Sequence, residues 1–306
     1  MAFKKMYIKQ TELLLDVLPI VFKEDVFALK GGTAINFFFH NMPRLSVDID
    51  LTYIPIESRN ETFKKTKLAL DNITDRIKKF NSNIQIKEKK QIDNVSKLFI
   101  YDKETFIKIE PNGLLRGCVY PCEKMDLVSS AQNQFNRTIL DIKTLAFEDI
   151  YGGKICAALS RQHCRDLFDI LQLYKKSGSL SRKMITSFVV YLASSPKPIS
   201  EMLNPTLHDI TNTYNTEFSG MCNNNISLDE LLDVRVKLIA DVNSNLLLNE
   251  KEFLLSIKQG EPNWDLMPIE HLKDLPALKW KIINVQKMSK TKKDLMINKL
   301  KETLQI

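Results

Sequence analysis

No run of about 18 to 20 uncharged apolar residues occurs in this 306-residue chain, so no membrane span is expected. The first residues do not read as a secretion signal either: their apolar run is broken by Asp16, and no small-residue cleavage site follows. A cytoplasmic protein is the expectation. Histidine is scarce, with four residues, which argues against a His-cluster metal site. The five cysteines (Cys118, Cys122, Cys156, Cys164 and Cys222) are too few and too scattered for a disulfide framework, and read as free thiols. Cys118 and Cys122 lie four apart, but no second Cys or His pair at zinc spacing accompanies them. The P-loop pattern is absent. So are helix-turn-helix and zinc-finger patterns, which leaves a DNA-binding regulator without support.

What is present is an ordinary globular composition, 44% hydrophobic and 26% charged, long enough for two modest domains or one large one. The net charge is +7, and it is concentrated at one end: His271 to Ile306 hold nine lysines, no arginine and three acids. A basic end suits a polyanionic partner, and it equally suits a solvated lysine-rich helix.

Hydrophobic spacing predicts a helix over 5–22, a strand over 26–30, a short helix over 33–40 and an alternating strand over 44–54. A helix over 58–80 and strands at 83–89, 97–102 and 105–111 follow. The last two are joined by a Lys103-Glu104 turn into a hairpin. Residues 112–145 read as irregular. The stretch 147–174 reads as helix, with a possible break near Gln162. Past the 177–181 linker nearly everything reads as helix, with turns at 194–198, 204–206, 220–225 and 260–264. The expected fold is α+β, a mixed sheet with helices packed on it, over residues 1–176, followed by a helical, basic domain over 177–306.

The strongest chemical feature is the spacing GGT-x14-DID. Gly31, Gly32 and Thr33 stand where a strand ends and a helix starts, a place where backbone can approach a phosphate. Asp48 and Asp50 are two apart on a strand, so both carboxylates share a face and offer hard oxygen ligands to Mg²⁺ or Mn²⁺. The competing reading is a solvated strand edge. Lys108 and Glu110 share a face of the strand 106–110; they suit a third carboxylate and a phosphate-neutralising cation, or a cross-strand ion pair. If 154–169 is one unbroken helix, Lys154, Arg161 and Arg165 fall within about 40° of each other, a cationic row for a triphosphate. Asp166 and Asp169 flank that row. An ordinary surface helix with Arg165–Asp169 pairing is the alternative.

The segments LKGGTAINFFF, PRLSVDIDLTY, FIKIE, DIYGGKICAALSRQHCRDLFDI and GEPNWDLMPIEHLKDLPALKWKIINVQKM occur in that order. Together they resemble the AbiEii/AbiGii family of nucleotidyltransferase toxins, which includes the MenT-type toxins. The resemblance runs from about Phe27 to Lys287 and is weakest between Ser177 and Asn263. It implies a DNA polymerase β-like nucleotidyltransferase core and a helical domain. It implies that Gly31, Gly32 and Thr33 hold nucleotide phosphates, that Asp48 and Asp50 hold metal, and that Lys108 and Glu110 form a second motif. Lys154 and Asp166, with Arg161 and Arg165, would form the third. Family members more often carry Gly-Ser with a shorter spacer; Thr33 keeps the hydroxyl. A cognate antitoxin and, in some members, tRNA are the partners implied.

The expected function is metal-dependent transfer of a nucleoside monophosphate from an NTP to an RNA hydroxyl, the tRNA 3′ end being the leading acceptor, with a block of translation as the outcome. Asp48, Asp50, Lys154 and Asp166 are the expected catalytic residues, and Lys290, Lys292 and Lys293 the expected RNA contacts. Transfer onto a protein or small molecule, or non-catalytic binding of NTP, RNA or an antitoxin, are the alternatives.

Overall fold

The structure, a computed structural model, describes residues 3–90, 96–103, 105–222 and 226–306. Glu104 of the hairpin turn and residues 223–225 of the turn at 220–225 lie outside the described residues. The chain forms two compact units, Met1–Ile150 with Phe218–Asn225, and Tyr151–Glu217 with Ile226–Ile306. The sequence reading placed the boundary after residue 176, two helices later.

The first unit starts with helix α1 (Lys5–Val21), followed by strand β1 (Phe27–Lys30). Helix α2 (Gly31–Ala34) leaves β1 directly and continues as one π-helical turn, Ile35–Phe39. Strand β2 (Asp48–Tyr53), helix α3 (Arg59–Phe80) and strands β3 (Gln85–Lys90), β4 (Ser96–Asp102) and β5 (Thr105–Asn112) follow. Ser58 caps α3 by accepting from Glu61 N–H at 3.2 Å. The stretch 112–145, read as irregular, holds strand β6 (Glu123–Met125), helix α4 (Ser129–Phe135) and strand β7 (Ile142–Thr144). Each is too short to show a period in sequence.

The seven strands form one mixed sheet in the order β3-β4-β5-β2-β1-β7-β6. β2 is central, antiparallel to β1 and parallel to β5. Alternation decides which face is wet. Ile49 and Leu51 on β2, Ile107 and Ile109 on β5, and Leu98 and Ile100 on β4 are buried. Their face is covered by α1, which packs on β2 and β5 and is backed by α3. Asp48, Asp50, Lys108 and Glu110 alternate with them and stay half-buried on the opposite face. The predicted strand 44–54 begins only at Asp48. Before it, Arg44 makes an isolated bridge with Cys222, and Leu45 N–H donates to Met221 O at 2.8 Å.

The second unit is helical. Helix α5 (Phe147–Arg161) enters it at Tyr151 and is followed by α6 (Cys164–Ser177), α7 (Arg182–Ser194), α8 (Ile199–Leu203) and the single turn α9 (Thr211–Thr213). Then come α10 (Leu228–Asn245), α11 (Leu248–Gln259), α12 (Pro276–Gln286) and α13 (Lys290–Leu304). α7 is the hub: Phe188, Val189, Leu192 and Ala193 are fully buried, and both α11 and α12 pack on it. A side chain at Gly152 would meet Phe188 N and Ser187 Cβ at 2.8 Å, so this glycine lets α5 cross the α7 backbone closely, whereas a side chain at Gly153 would meet nothing.

In the basic tail, helical spacing of apolar residues among lysines dictates an apolar side packed inward with lysine heads outside. Leu278, Val285, Leu300 and Leu304 do pack inward, but Trp280, Ile283 and Leu295 are exposed and Lys281 is buried. The polar stretch 289–293 is Ser289 at the N-cap and the first turn of α13.

Candidate active site

In the first unit the register of the sheet assembles two of the predicted motifs. Asp48 pairs with Lys108, and Asp50 pairs with Glu110 on one side and Lys30 on the other. In-register residues point to the same face, so two carboxylates, two flanking cations and a third carboxylate share one patch. Lys108 Nζ lies 3.9 Å from Asp48 Oδ1, and Lys97 Nζ lies 3.0 Å from Glu110 Oε2. Glu110 is therefore held by a lysine of β4. Among the described residues no group of three or more acids, histidines or cysteines is arranged to hold a metal.

The glycine turn abuts this patch. Gly31 has φ +70°, and a side chain there would run into the Asp50 carboxylate. A non-glycine residue would thus be strained and would displace a metal-ligand candidate at once. A side chain at Gly32 would come within 2.5 Å of Arg44 Nη2 and 3.2 Å of Ser46 Oγ. Thr33 is fully buried; its hydroxyl donates to Asp48 O at 2.5 Å and meets Ser46 Oγ at 2.9 Å. That hydroxyl braces β2 from within, so what the turn presents outward is main chain. Asn36 Nδ2 ties the turn to itself through Gly32 O at 2.9 Å.

Arg44, Ser46 and Asn36 escaped the sequence reading. Arg44 is 2% exposed, lies directly against Gly32, and donates to Leu45 O at 2.9 Å. Its only signal was membership of the segment PRLSVDID.

The second unit carries the third motif. α5 ends at Arg161, Gln162 takes φ +51°, and His163 caps α6 by accepting from Arg165 N–H at 3.1 Å. Lys154, Arg161 and Arg165 therefore do not form one row on an unbroken helix, which corrects the projection. Gln162 is buried at the break. Its Nε2 donates to Thr206 O at 2.7 Å, and its Oε1 accepts from Arg235 Nη1 at 3.0 Å and His208 N–H at 3.1 Å. Losing helix hydrogen bonds there is answered by these contacts.

The break folds α6 so that its carboxylates meet α5. Lys154, 6% exposed, lies 2.9 Å from Asp166 and 2.8 Å from Asp169, both buried. Arg161, whose side chain is 65% exposed, grips Asp166 with Nε at 2.5 Å and Nη2 at 2.9 Å. Burial would raise the Asp166 carboxyl, but the charges and hydrogen bonds of Lys154 and Arg161 outweigh it and hold that carboxyl well below the usual range. Lys154 is thus the inner counter-ion of two buried acids. Of the three expected triphosphate cations, Arg161 and the half-buried Arg165 are the ones that reach the surface.

A mixed sheet presenting two carboxylates beside a glycine turn is the frame of a nucleotidyltransferase, and comparison with known proteins agrees. The family model "Nucleotidyl transferase AbiEii toxin, Type IV TA system" matches residues 12–280, and the chain belongs to that family. The solved structure of MenT4, a nucleotidyltransferase toxin from Mycobacterium tuberculosis H37Rv, is similar with a TM-score of 0.63 at 11% identity, covering 91% of this chain and 93% of that one. At that identity the likeness establishes the fold. No curated protein matched in sequence. Among the described residues no helix is long and apolar enough to cross a membrane.

Proposed function

We propose that the protein transfers a nucleoside monophosphate from an NTP to a hydroxyl at the 3′ end of a tRNA, using a divalent metal. The observation that carries this reading is the in-register set Asp48, Asp50, Lys108 and Glu110 on one sheet face beside Gly31. Half-buried carboxylates on a strand paired at both sides are rigid, hard donors. A pair of them suits Mg²⁺, which keeps water and phosphate oxygens in its remaining positions. When bound, the ion supplies charge neutralisation at the reacting phosphate and lowers the pKa of the attacking hydroxyl. A new bond forms between the acceptor oxygen and the α-phosphorus, the α–β bridging bond breaks, and pyrophosphate leaves.

The chain's own groups supply position and charge. The Gly31–Gly32 main chain approaches the phosphates, and Lys108 balances carboxylate charge at Asp48 before substrate arrives. Arg161, oriented by Asp166, and Arg165 neutralise the triphosphate. In this reading Asp166 positions Arg161. Lys290, Lys292 and Lys293 contact the acceptor backbone. As a toxin-family member the protein has an antitoxin as its implied partner.

Label position tests the reaction type. With tRNA and Mg²⁺, label from the NTP α-phosphate is expected in RNA and γ-label in pyrophosphate; γ-label in RNA means phosphoryl transfer and refutes the proposal. Arg161→Ala and Arg165→Ala are each expected to weaken NTP binding by about 1.5–3 kcal/mol, as for a charge-assisted contact. Calorimetric titration checks this, and unchanged affinity in both returns these arginines to a solvated surface.

A further inference from the structure

Lys258, in the last turn of α11, is 5% exposed, and among the described residues the hydrogen-bond partner of its Nζ is Met296 Sδ at 3.2 Å. A thioether is a poor acceptor for an ammonium with three donors. Lys281 on α12 is 8% exposed and donates to Ser195 O at 2.6 Å, capping the end of α7. That cap accounts for Lys281 but not for Lys258. Burial lowers both ammonium groups. Lys258 further lowers Lys281, to about 8, and Lys292 further lowers Lys258. Among the described residues no carboxylate pairs with Lys258, Lys281, Lys292 or Lys293. A buried cation facing other cations is costly unless something anionic completes the group.

A second observation is independent of burial. α13 opens at Ser289 without a side-chain cap, and its first turn carries Lys290, Lys292 and Lys293 and no acid. Three cations at the positive end of a helix oppose its dipole, while the exposed N–H groups and the lysines all favour an anion. Lys292 and Met296 are one helical turn apart on one stripe, so the flexible Met296 side chain covers Lys258 from the same helix that presents Lys292. Lys293 Nζ reaches Gln259 O at 3.3 Å, beside Lys258 in sequence.

We infer that the N-terminal turn of α13, backed by Lys258, is a phosphate site that receives a backbone phosphodiester of the acceptor RNA. The RNA assignment rests on the acceptor proposed above. Phosphate enters by displacing Met296 and gives the Lys258 ammonium the oxygens it lacks.

The test uses the full chain and Lys258→Met, which removes an unanswered buried charge and should keep or raise the melting temperature. Inorganic phosphate, against chloride at equal ionic strength, is expected to stabilise the wild type and not Lys258→Met. Anisotropy with an acceptor-stem RNA duplex should show roughly tenfold weaker binding and a salt slope flatter by about 0.9. Lys301→Gln, at the far end of α13, should leave both unchanged. Equal phosphate responses in wild type and Lys258→Met overturn the site. A lost phosphate response with intact RNA affinity marks a free-phosphate site and overturns the RNA assignment. Neither readout needs nucleotide transfer, so failure here is distinct from failure of the proposed reaction.

Discussion

Asp48→Ala and Asp50→Ala are each expected to lower nucleotide transfer by about 10³-fold or more while the protein stays folded, the size of effect seen when a charge-stabilising group is removed from an active site. The fold should survive because neither side chain is in the core; both are half-buried and alternate with the buried Ile49 and Leu51. Asp50 stands against Gly31, and Asp48 faces Lys108 at 3.9 Å, so the two substitutions change the same patch in different ways. Asp50→Ala removes a carboxylate beside another and should hold or raise the melting temperature in chelator. Transfer at near wild-type rate by either variant removes the pair from the mechanism.

The second large effect is on stability. Lys154→Met removes the cation that lies against both buried acids, Asp166 and Asp169, while Arg161 stays on Asp166. Breaking a buried ion pair from one side costs about 3–5 kcal/mol, a large part of the roughly 5–15 kcal/mol that holds a domain together. Urea denaturation should show that loss, and adding Asp169→Asn should recover part of it. The acid limb follows from the same group. Asp166 is depressed in the folded state from its ordinary 3.8. Its contribution is therefore full above about pH 4 and is lost as pH falls below that. Lys154→Met should shrink the depression, so its stability should fall less steeply with acid than the wild type's. A Lys154→Met midpoint equal to wild type would mean that the two acids find other partners.

Much of the sheet was legible because its logic is local. Alternation around Asp48, Asp50, Lys108 and Glu110 marks one wet face, and Gly31 is the kind of residue that tolerates the turn without strain. Their mutual register was not legible, since pairing of β2 with β5 is a long-range choice. The helical motif misled for a definite reason: projecting Lys154, Arg161 and Arg165 onto one wheel assumes a helix that Gln162 ends. The contacts that end it come from Thr206, His208 and Arg235, far along the chain. Arg44, Ser46 and Asn36 act through carbonyls and close approach at a turn, which leave no periodic trace. Lys281 and Lys258 were invisible because lysine reads as surface, although its aliphatic stem can be buried.

The most direct test of the central claim is the intact mass of purified tRNA after incubation with the wild-type protein, NTP and Mg²⁺. The account predicts a gain of one or more nucleoside monophosphates on the 3′-terminal fragment, absent with Asp48→Ala, Asp50→Ala or chelator. NTP turned over to pyrophosphate while the tRNA mass stays unchanged, or the same gain with Asp50→Ala, would contradict it.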